Sequence, residues 1–417
     1  MTAIEFFDRT PLDNIISSIT TVPDKIIFIG DGKEMKKFHS VHKAFLEKRN
    51  INTVLEYHPI KKNNLSDIVD KLTQIVLNEE ECIFDITGGE DLVLVAMGIV
   101  YEKFSDKHIQ MQRFNIRNGV VSDCDNDGNI NNTIKPKLSV EELVLINGGE
   151  VRYSDESEVL QRTSNWDLSD DFIRDVKNMW GICKNDPGFW NTRVNVMGQI
   201  SNLSTSDDPL VMKVNVSHLK EHTSNVSVKY APLSGLLSQL SNLGLVKDYK
   251  ETAETLSYKY KNIQVKRCLE KAGTILEMIV LVLASELKSK DGSSFYTDYK
   301  NGVYIDWDGV FHNEKDVEKD TENEIDVILM RGAMPLFISC KNGHVGDDEL
   351  YKLNSVAQRF GGPFVKKVLI ATYLGKSAKS SQYFKQRAKD MNINLIDSVH
   401  LLSDEKLSKV VKHLVNG

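Results

Sequence analysis

Three ionisable residues in the last third of the sequence stand where they could do chemistry together. Glu277 interrupts the apolar run Leu276-Glu277-Met278-Ile279-Val280, where an ionised carboxylate is costly without a partner. Asp326 falls on the strand-like stretch Asn323-Glu324-Ile325-Asp326-Val327-Ile328, and Lys341 ends the next strand, Ile338-Ser339-Cys340-Lys341. Two carboxylates and a lysine at the ends of adjacent strands suit metal-assisted phosphodiester hydrolysis. The carboxylates hold Mg²⁺ or Mn²⁺, which stabilises charge on the scissile phosphate, and the lysine orients or helps activate the attacking water. Each residue alone has a plainer explanation. Asp326 could be one more surface acid after Asp316, Glu318, Asp320, Glu322 and Glu324, and Glu277 could pair with a Lys or Arg. Together, in this order, they favour a nuclease site.

A second pair of segments suits binding. Gly30-Asp31-Gly32-Lys33 follows the buried strand that begins at Lys25, and Asp85-Ile86-Thr87-Gly88-Gly89-Glu90-Asp91 follows another. Paired glycines let backbone approach a ligand, and the helix that follows presents N–H groups to a phosphate. Two such turns at one sheet edge favour a nucleotide-type ligand, with Glu90 and Asp91 pointing away. Asp123-x-Asp125-x-Asp127-Gly128 has the start of a calcium loop, but Ile134 stands where its Glu belongs, so it reads as a solvated turn.

The elements that must position these residues follow from periodicity. Up to about residue 145, strand signals (Lys25–Gly32, Asn52–Tyr57, Glu81–Ile86) alternate with helical ones (Lys33–Lys48, Leu65–Leu77, Leu92–Phe104). That alternation predicts βαβ units in a parallel, doubly wound sheet, closed by a hairpin over Gln112–Val121 with Asn118-Gly119 at its turn. From about 165 to 270 the chain is helical. Leu236 to Leu243, Gly244 and two short strands give the sequence shape of a winged helix, read here as a structural connector. From about Val265 a helix (Gly273–Leu287), three strands, a helix (Asp348–Phe360), a strand (Val368–Tyr373) and a helix (Ser381–Met391) form a second α/β layer.

Composition sets the frame. The 417 residues hold 52 Lys+Arg against 59 Asp+Glu, a net charge of −7, which excludes a strongly cationic coat protein but not a local basic face. Lys366, Lys367, Lys376, Lys379, Lys385, Arg387 and Lys389 form such a stretch without an acid, a plausible track for a phosphate backbone, with Tyr373 and Tyr383 available for stacking. Five scattered cysteines make no C-x-x-C pair. With neither a basic-then-apolar leader nor a membrane-length apolar run, a reduced, cytoplasmic protein that does not engage a membrane is expected.

In this order the motifs resemble a known family. Glu5-Phe6-Phe7-Asp8, the Thr87-Gly88-Gly89 turn, Asp306-Trp307-Asp308, Asn323 to Val327, Ile338 to Lys341, Glu349 to Leu353 and Arg359-Phe360-Gly361-Gly362 together resemble CRISPR ancillary nucleases. These join an N-terminal CARF domain to a C-terminal restriction-endonuclease-like domain of the PD-(D/E)XK class. The resemblance implies a Rossmann-like CARF sensor at 1–145, a helical, winged-helix-like connector at 146–264 and a nuclease at 265–417. It implies a homodimer that binds a cyclic oligoadenylate, usually cyclic tetra-adenylate, made by type III CRISPR complexes, and that then cleaves DNA and/or RNA with a divalent metal. Carried over, the ligand turns are Gly30, Asp31, Gly32, Thr87, Gly88 and Gly89, and the catalytic residues are Glu277, Asp326 and Lys341. One departure stands out: Ser339 occupies the position, two before the lysine, where the class usually has Glu or Asp. Metal binding must then rest on Asp326, Glu277, the Cys340 carbonyl and water, with a millimolar requirement and Mn²⁺ preferred over Mg²⁺. The alternative is a ligand-sensing DNA-binding regulator whose nuclease domain Ser339 has silenced. A third, weaker reading is a nucleotide-dependent doubly wound enzyme.

Overall fold

The computed structural model describes the chain apart from residues 9, 17, 108, 116–118, 125–134, 154–162, 227, 309–321, 363, 375–377 and 417. Asn118 of the hairpin turn, Asp125, Asp127 and Gly128 of the solvated turn, Asp316, Glu318 and Asp320 of the acidic run, and Lys376 lie outside the described residues.

The first sheet comprises β1 (Thr2–Phe6), β2 (Lys25–Gly30), β3 (Val54–Pro59), β4 (Cys82–Asp85), β5 (Ile109–Asn115) and β6 (Val120–Asp123), in the order β3-β2-β1-β4-β5-β6. β1 to β5 are parallel, and β6 turns back on β5 as the expected hairpin. Helices α1 (Ser18–Thr21), α2 (Gly32–Lys48), α3 (Leu65–Asn78) and α4 (Asp91–Lys103) link the parallel strands. Sequence periodicity does not reveal β1, a five-residue strand with a Glu in it. All five residues are nevertheless buried, because β1 is the central strand between β2 and β4. The winding direction therefore reverses at the carboxyl ends of β1 and β4, which is where doubly wound sheets open a crevice for ligands.

The middle of the chain begins with α5 (Val140–Ile146), capped by reciprocal bonds between Ser139 and Glu142. β7 (Glu150–Arg152), α6 (Asp170–Asn185), α7 (Pro187–Leu203), β8 (Val211–Asn215), α8 (Val216–Asn225), α9 (Ser234–Asn242), β9 (Val246–Glu251) and β10 (Thr255–Tyr260) follow. From α7 onward this is winged-helix order, with a small antiparallel sheet β8-β10-β9 and the apolar side of α9 (Leu236, Leu237, Leu240) buried.

Next come α10 (Ile263–Cys268), the buried helix α11 (Thr274–Glu286), β11 (Asp298–Asp306), β12 (Glu322–Arg331), β13 (Met334–His344), α12 (Asp348–Phe360), β14 (Lys366–Tyr373), α13 (Ala378–Asp390), β15 (Ile393–Ile396) and α14 (Asp404–His413). The sheet order is β15-β14-β13-β12-β11-β7. β7, too short to show a period in the sequence, is its edge strand, held antiparallel on β11 by the ion pair between Arg152 and buried Asp306. Asp306 of the family motif thus has a structural partner.

The units share cores. One apolar cluster packs α11 and the connector helices α6 and α7 against one face of the third sheet, through Trp180, Trp190, Val327 and Ile338. Another runs from Phe7, Phe28 and Phe45 of the first unit through Val144 of α5 to Phe337 and Phe360 on the opposite face. α5 fastens this junction: Arg49 pairs with Glu142 at 2.8 Å, and the Val140 N–H donates to Asp298 at 2.7 Å. All five cysteines are free thiols. No helix among the described residues is long and apolar enough to cross a membrane.

Candidate active site

Asp326 and Lys341 meet across β12 and β13. Asp326 Oδ2 accepts from the Cys340 N–H (2.6 Å), the Ser339 hydroxyl (3.1 Å) and Lys341 Nζ (3.2 Å). Lys341 Nζ also lies 3.1 Å from Glu349 in the first turn of α12. Burial disfavours the lysine charge, but Asp326 and Glu349 outweigh it and raise its pKa above the ordinary value. Lys341 therefore stays cationic at neutral pH. It can orient a water or neutralise a phosphate oxygen, but it cannot remove the water's proton.

A break in strand alternation aims these groups. Ile325 packs in the cluster on the α12 side, whereas Val327 packs in the opposite cluster with α11. Residues two apart on a regular strand share a face, so the strand rotates at Asp326. Across the ladder, the pairing passes from Asn301–Val327 to Val303–Ile325, and Gly302 at the break has φ +54°. The register is unchanged on either side, so no residue is inserted; the positive φ of Gly302, opposite Asp326, is the local departure from regular strand geometry. A side chain at Gly302 meets no backbone, but it pays the left-handed penalty of about 1–2 kcal/mol and favours regular pairing. Gly302→Val is expected to lower kcat at least about tenfold, with circular dichroism and ligand binding close to wild type; unchanged kcat would remove the break from the site.

Glu277 lies in the first turn of α11 and is half-buried. Burial, then Asp326, then Glu324 raise its carboxyl pKa to about 8. Asn301 Nδ2 approaches Glu277 at 3.5 Å. Glu324 is exposed and lines both neighbouring cavities: one of about 290 Å³ with Asp326, Ser339, Lys341 and Glu349, the other of about 500 Å³ with Glu277 and Asn301.

This donor set fits a hard divalent cation. The three donors that Asp326 accepts all meet Oδ2, so Oδ1 is available. Burial first, and then the charges of Asp326 and Glu324, favour a proton on Glu277, and a cation would offset both effects. The buried Cys340 thiol is a soft donor that suits a hard cation poorly, so its carbonyl is the better ligand. Among the described residues, no three His, Cys, Asp or Glu side chains converge as a ready-made metal cluster. Ser339, the missing carboxylate, spends its hydroxyl on Asp326.

The connector holds the residue after the lysine. Asn342 Nδ2 donates to Asn191 of α7 at 2.8 Å and to the Ala272 carbonyl at 3.2 Å, and Asn191 donates back to the Asn342 carbonyl.

The structure brings both glycine turns to the carboxyl edge of the first sheet, one on each side of the segment after β1. A Cβ at Gly30 would lie 3.0 Å from Phe7, and one at Gly88 would lie 3.2 Å from Asp8 Oδ2. Several turn N–H groups are already engaged: Thr87 N–H with Asp85 (2.8 Å), Gly89 N–H with Asp8 (3.2 Å), and the N-terminus of α2 with the Asp31 carboxylate. Asp13 beside them has its carboxyl raised to about 7, mainly by burial and then by Asp8 and Asp85. Glu90 is drawn to Lys62 at 2.7 Å. The edge is thus more acidic and more internally bonded than the glycine pattern suggests.

Much of the basic stretch lies away from the catalytic groups. Lys366, Lys367, Lys385 and Lys389 line a separate cavity. Lys366 aligns with Leu336 on β13 and Ala371 with Lys341, so the lysines begin five residues from the site, roughly 16 Å along the strand. Tyr373 is nearer, its ring 5.9 Å from His344 and 4.8 Å from His400, while Tyr383 is largely exposed.

Sequence reasoning gave no role to Glu349, Glu324 or Asp8. The one available signal was their place inside the family-like motifs.

Residues 273–416 match the family model described as the Card1-like endonuclease domain. No curated protein matches the chain. Among solved structures, protein VC1899 from Vibrio cholerae is 18% identical, with a TM-score of 0.72, covering 100% of this chain and 97% of that one. Can2 from Sulfobacillus thermosulfidooxidans, solved in complex with cyclic tetra-adenylate, is 14% identical, with a TM-score of 0.64 and the same coverages. Residues 273–416 thus resemble the Card1-like endonuclease domain, and the chain as a whole shares the fold of VC1899 and Can2.

Proposed function

We propose that this protein is a cytoplasmic, homodimeric endonuclease of type III CRISPR defence. A cyclic oligoadenylate, cyclic tetra-adenylate in the first instance, activates it, and it cleaves DNA or RNA with Mn²⁺ or Mg²⁺. Domains at 1–145, 146–264 and 265–417 serve as sensor, connector and nuclease. The observation that carries the nuclease reading is Lys341 held between Asp326 and Glu349, with Glu277 close enough to Asp326 for their charges to compete. The Can2 complex supports the choice of activator.

Asp326, Glu277 and the Cys340 carbonyl would hold the metal, which would supply charge stabilisation at the scissile phosphate. Lys341, fixed by Glu349, orients the attacking water or a non-bridging oxygen. Lys341 and Lys352, the cationic side chains that line the Asp326 cavity among the described residues, are both paired with carboxylates, so cleavage depends on added metal. Gly30, Asp31, Gly32, Thr87, Gly88 and Gly89 shape the sensor pocket.

Ser339→Asp places a carboxylate at the position the nuclease class normally uses. The half-saturating Mg²⁺ concentration for cleavage should fall by about tenfold or more, with Mg²⁺ approaching Mn²⁺ in rate. An unchanged metal requirement would show that residue 339 does not face the ion. The function itself is tested by incubating labelled RNA, single-stranded DNA and plasmid with wild-type protein, Mn²⁺ and each cyclic oligoadenylate. Intact substrates in every case, with the ligand bound, would favour a regulator with a silent nuclease domain.

A further inference from the structure

The larger cavity beside the site, about 500 Å³, is built by the connector as much as by the nuclease domain. α7 supplies Gln199 and Asn202, the α10–α11 segment Arg267 and Lys271, β11 Asn301, and α11 the catalytic-helix residue Glu277. We propose that this crevice receives one unpaired nucleotide of the substrate, next to the scissile phosphate. On this view the connector is part of the substrate site as well as the link to the sensor. The inference rests on the nuclease reading and adds to it a position, a set of contacts and a specificity.

Four observations carry it. First, continuity: Glu277 and Glu324 line this crevice, and Glu324 also lines the cavity around Asp326 and Lys341, so a strand crossing the catalytic groups runs into it. Second, size: the volume lies in the range that encloses a small organic ligand and is far too small for a duplex. Third, unmet polarity: Asn301 is only 4% exposed, and its Oδ1 has no hydrogen-bond partner among the described residues. Trp166, which also lines the crevice and stacks on Phe172, has an indole N–H in the same condition. A buried polar atom without a partner is costly; both atoms are closed off from solvent, so a base edge, which supplies a donor and an acceptor, meets them once the crevice wall shifts to admit it. Fourth, chemistry: Arg267 and Lys271 are exposed at the crevice, as phosphate contacts should be, and Asn and Gln amides are the side chains that pair with base edges. Gln199 is already oriented, sharing a 3.0 Å hydrogen bond with His222. Glu270 and the catalytic carboxylates on the same walls keep the crevice from being a general anion trap, so the base must contribute.

The packing that forms the crevice is tight. A Cβ at Gly198 would lie 2.3 Å from the Glu270 carbonyl oxygen, so α7 can approach the α10–α11 turn this closely only with glycine there.

The test uses the full-length protein with Mn²⁺, cyclic tetra-adenylate and end-labelled single-stranded oligonucleotides of mixed sequence, the cut positions being read on a sequencing gel. Arg267→Ala and Asn202→Ala alter exposed side chains, and retained cyclic tetra-adenylate binding serves as the fold control. Arg267→Ala should raise KM with little change in kcat, and should lower the salt dependence of binding by about one phosphate contact. Asn202→Ala should weaken the base preference at one position beside the cut, by between about fivefold and a hundredfold. If both variants cleave with wild-type KM and wild-type cut positions, the crevice is not a nucleotide subsite, although the nuclease reading stands. If wild-type protein itself cuts nothing, the nuclease reading falls and this inference falls with it.

Discussion

Asp326→Asn is expected to abolish cleavage, by on the order of a hundred- to a thousandfold or more, while the protein still folds and binds cyclic oligoadenylate. The reasoning is geometric. Asparagine retains an oxygen that can accept from the Cys340 N–H, which sits 2.6 Å from the native carboxylate. It loses the charge that holds Lys341 and that a divalent cation needs. Asp326→Ala differs in a useful way: it leaves the Cys340 N–H without its acceptor, at a cost of about 1–3 kcal/mol. The pair of variants therefore separates catalysis from stability. Denaturant unfolding should show the alanine variant, and not the asparagine one, clearly destabilised, with both inactive. Cleavage by Asp326→Asn within a few-fold of wild type would remove Asp326 from the chemistry.

The second large effect concerns Glu277 and pH. Its carboxyl is raised from an ordinary 4.5 to about 8 by burial, Asp326 and Glu324. Between those values the folded protein keeps a proton that the unfolded chain has released. The Glu277 contribution to the stability of the metal-free protein therefore declines as pH rises from about 4.5 to about 8, then levels off. Asp13, raised to about 7, adds to the decline, and buried His42, lowered to about 4, opposes it below pH 6.5. Added Mn²⁺ should restore the lost stability most strongly at the upper end, because the ion replaces the proton. Glu277→Gln should flatten the decline and weaken metal activation by about tenfold or more, since one charged ligand is gone. Melting curves of both proteins at pH 5, 6.5 and 8, with and without Mn²⁺, provide the measurement. A melting-temperature difference between wild type and Glu277→Gln that stays constant across this range without metal would contradict the half-buried, repelled carboxylate.

The legible parts of the sequence were those with long periods or costly residues. The βα alternation to residue 145 and the helix around Glu277 could be read because burial imposes apolar periodicity on elements longer than about ten residues. β1 and β7 could not. They are five and three residues long, and their burial comes from neighbours distant in sequence. Asp326 and Lys341 were readable as residues of adjacent strands, although they lie within β12 and β13 and not at the strand ends expected. The rotation at Asp326 was not readable, since it depends on Gly302 opposite it and on clusters drawn from both faces. Glu349 was invisible as a partner because its contact with Lys341 exists only once α12 packs on β13. The ligand turns were readable as glycine turns. Their acidity was not, since Asp8 and Asp13 arrive from the loop after β1. The basic stretch misled for the same reason: a run of lysines in sequence says nothing about which end of a strand they occupy.

One assay decides between a ligand-switched nuclease and a ligand-binding protein with a silent second domain. Wild-type and Lys341→Ala proteins are incubated with single-stranded DNA, RNA and supercoiled plasmid in Mn²⁺, with and without cyclic tetra-adenylate. Under the proposed function, cleavage is expected only by wild type, and only, or far faster, with the ligand present, while both proteins bind the ligand equally. Cleavage that survives Lys341→Ala, or wild-type protein that binds the ligand and leaves every substrate intact, would contradict it.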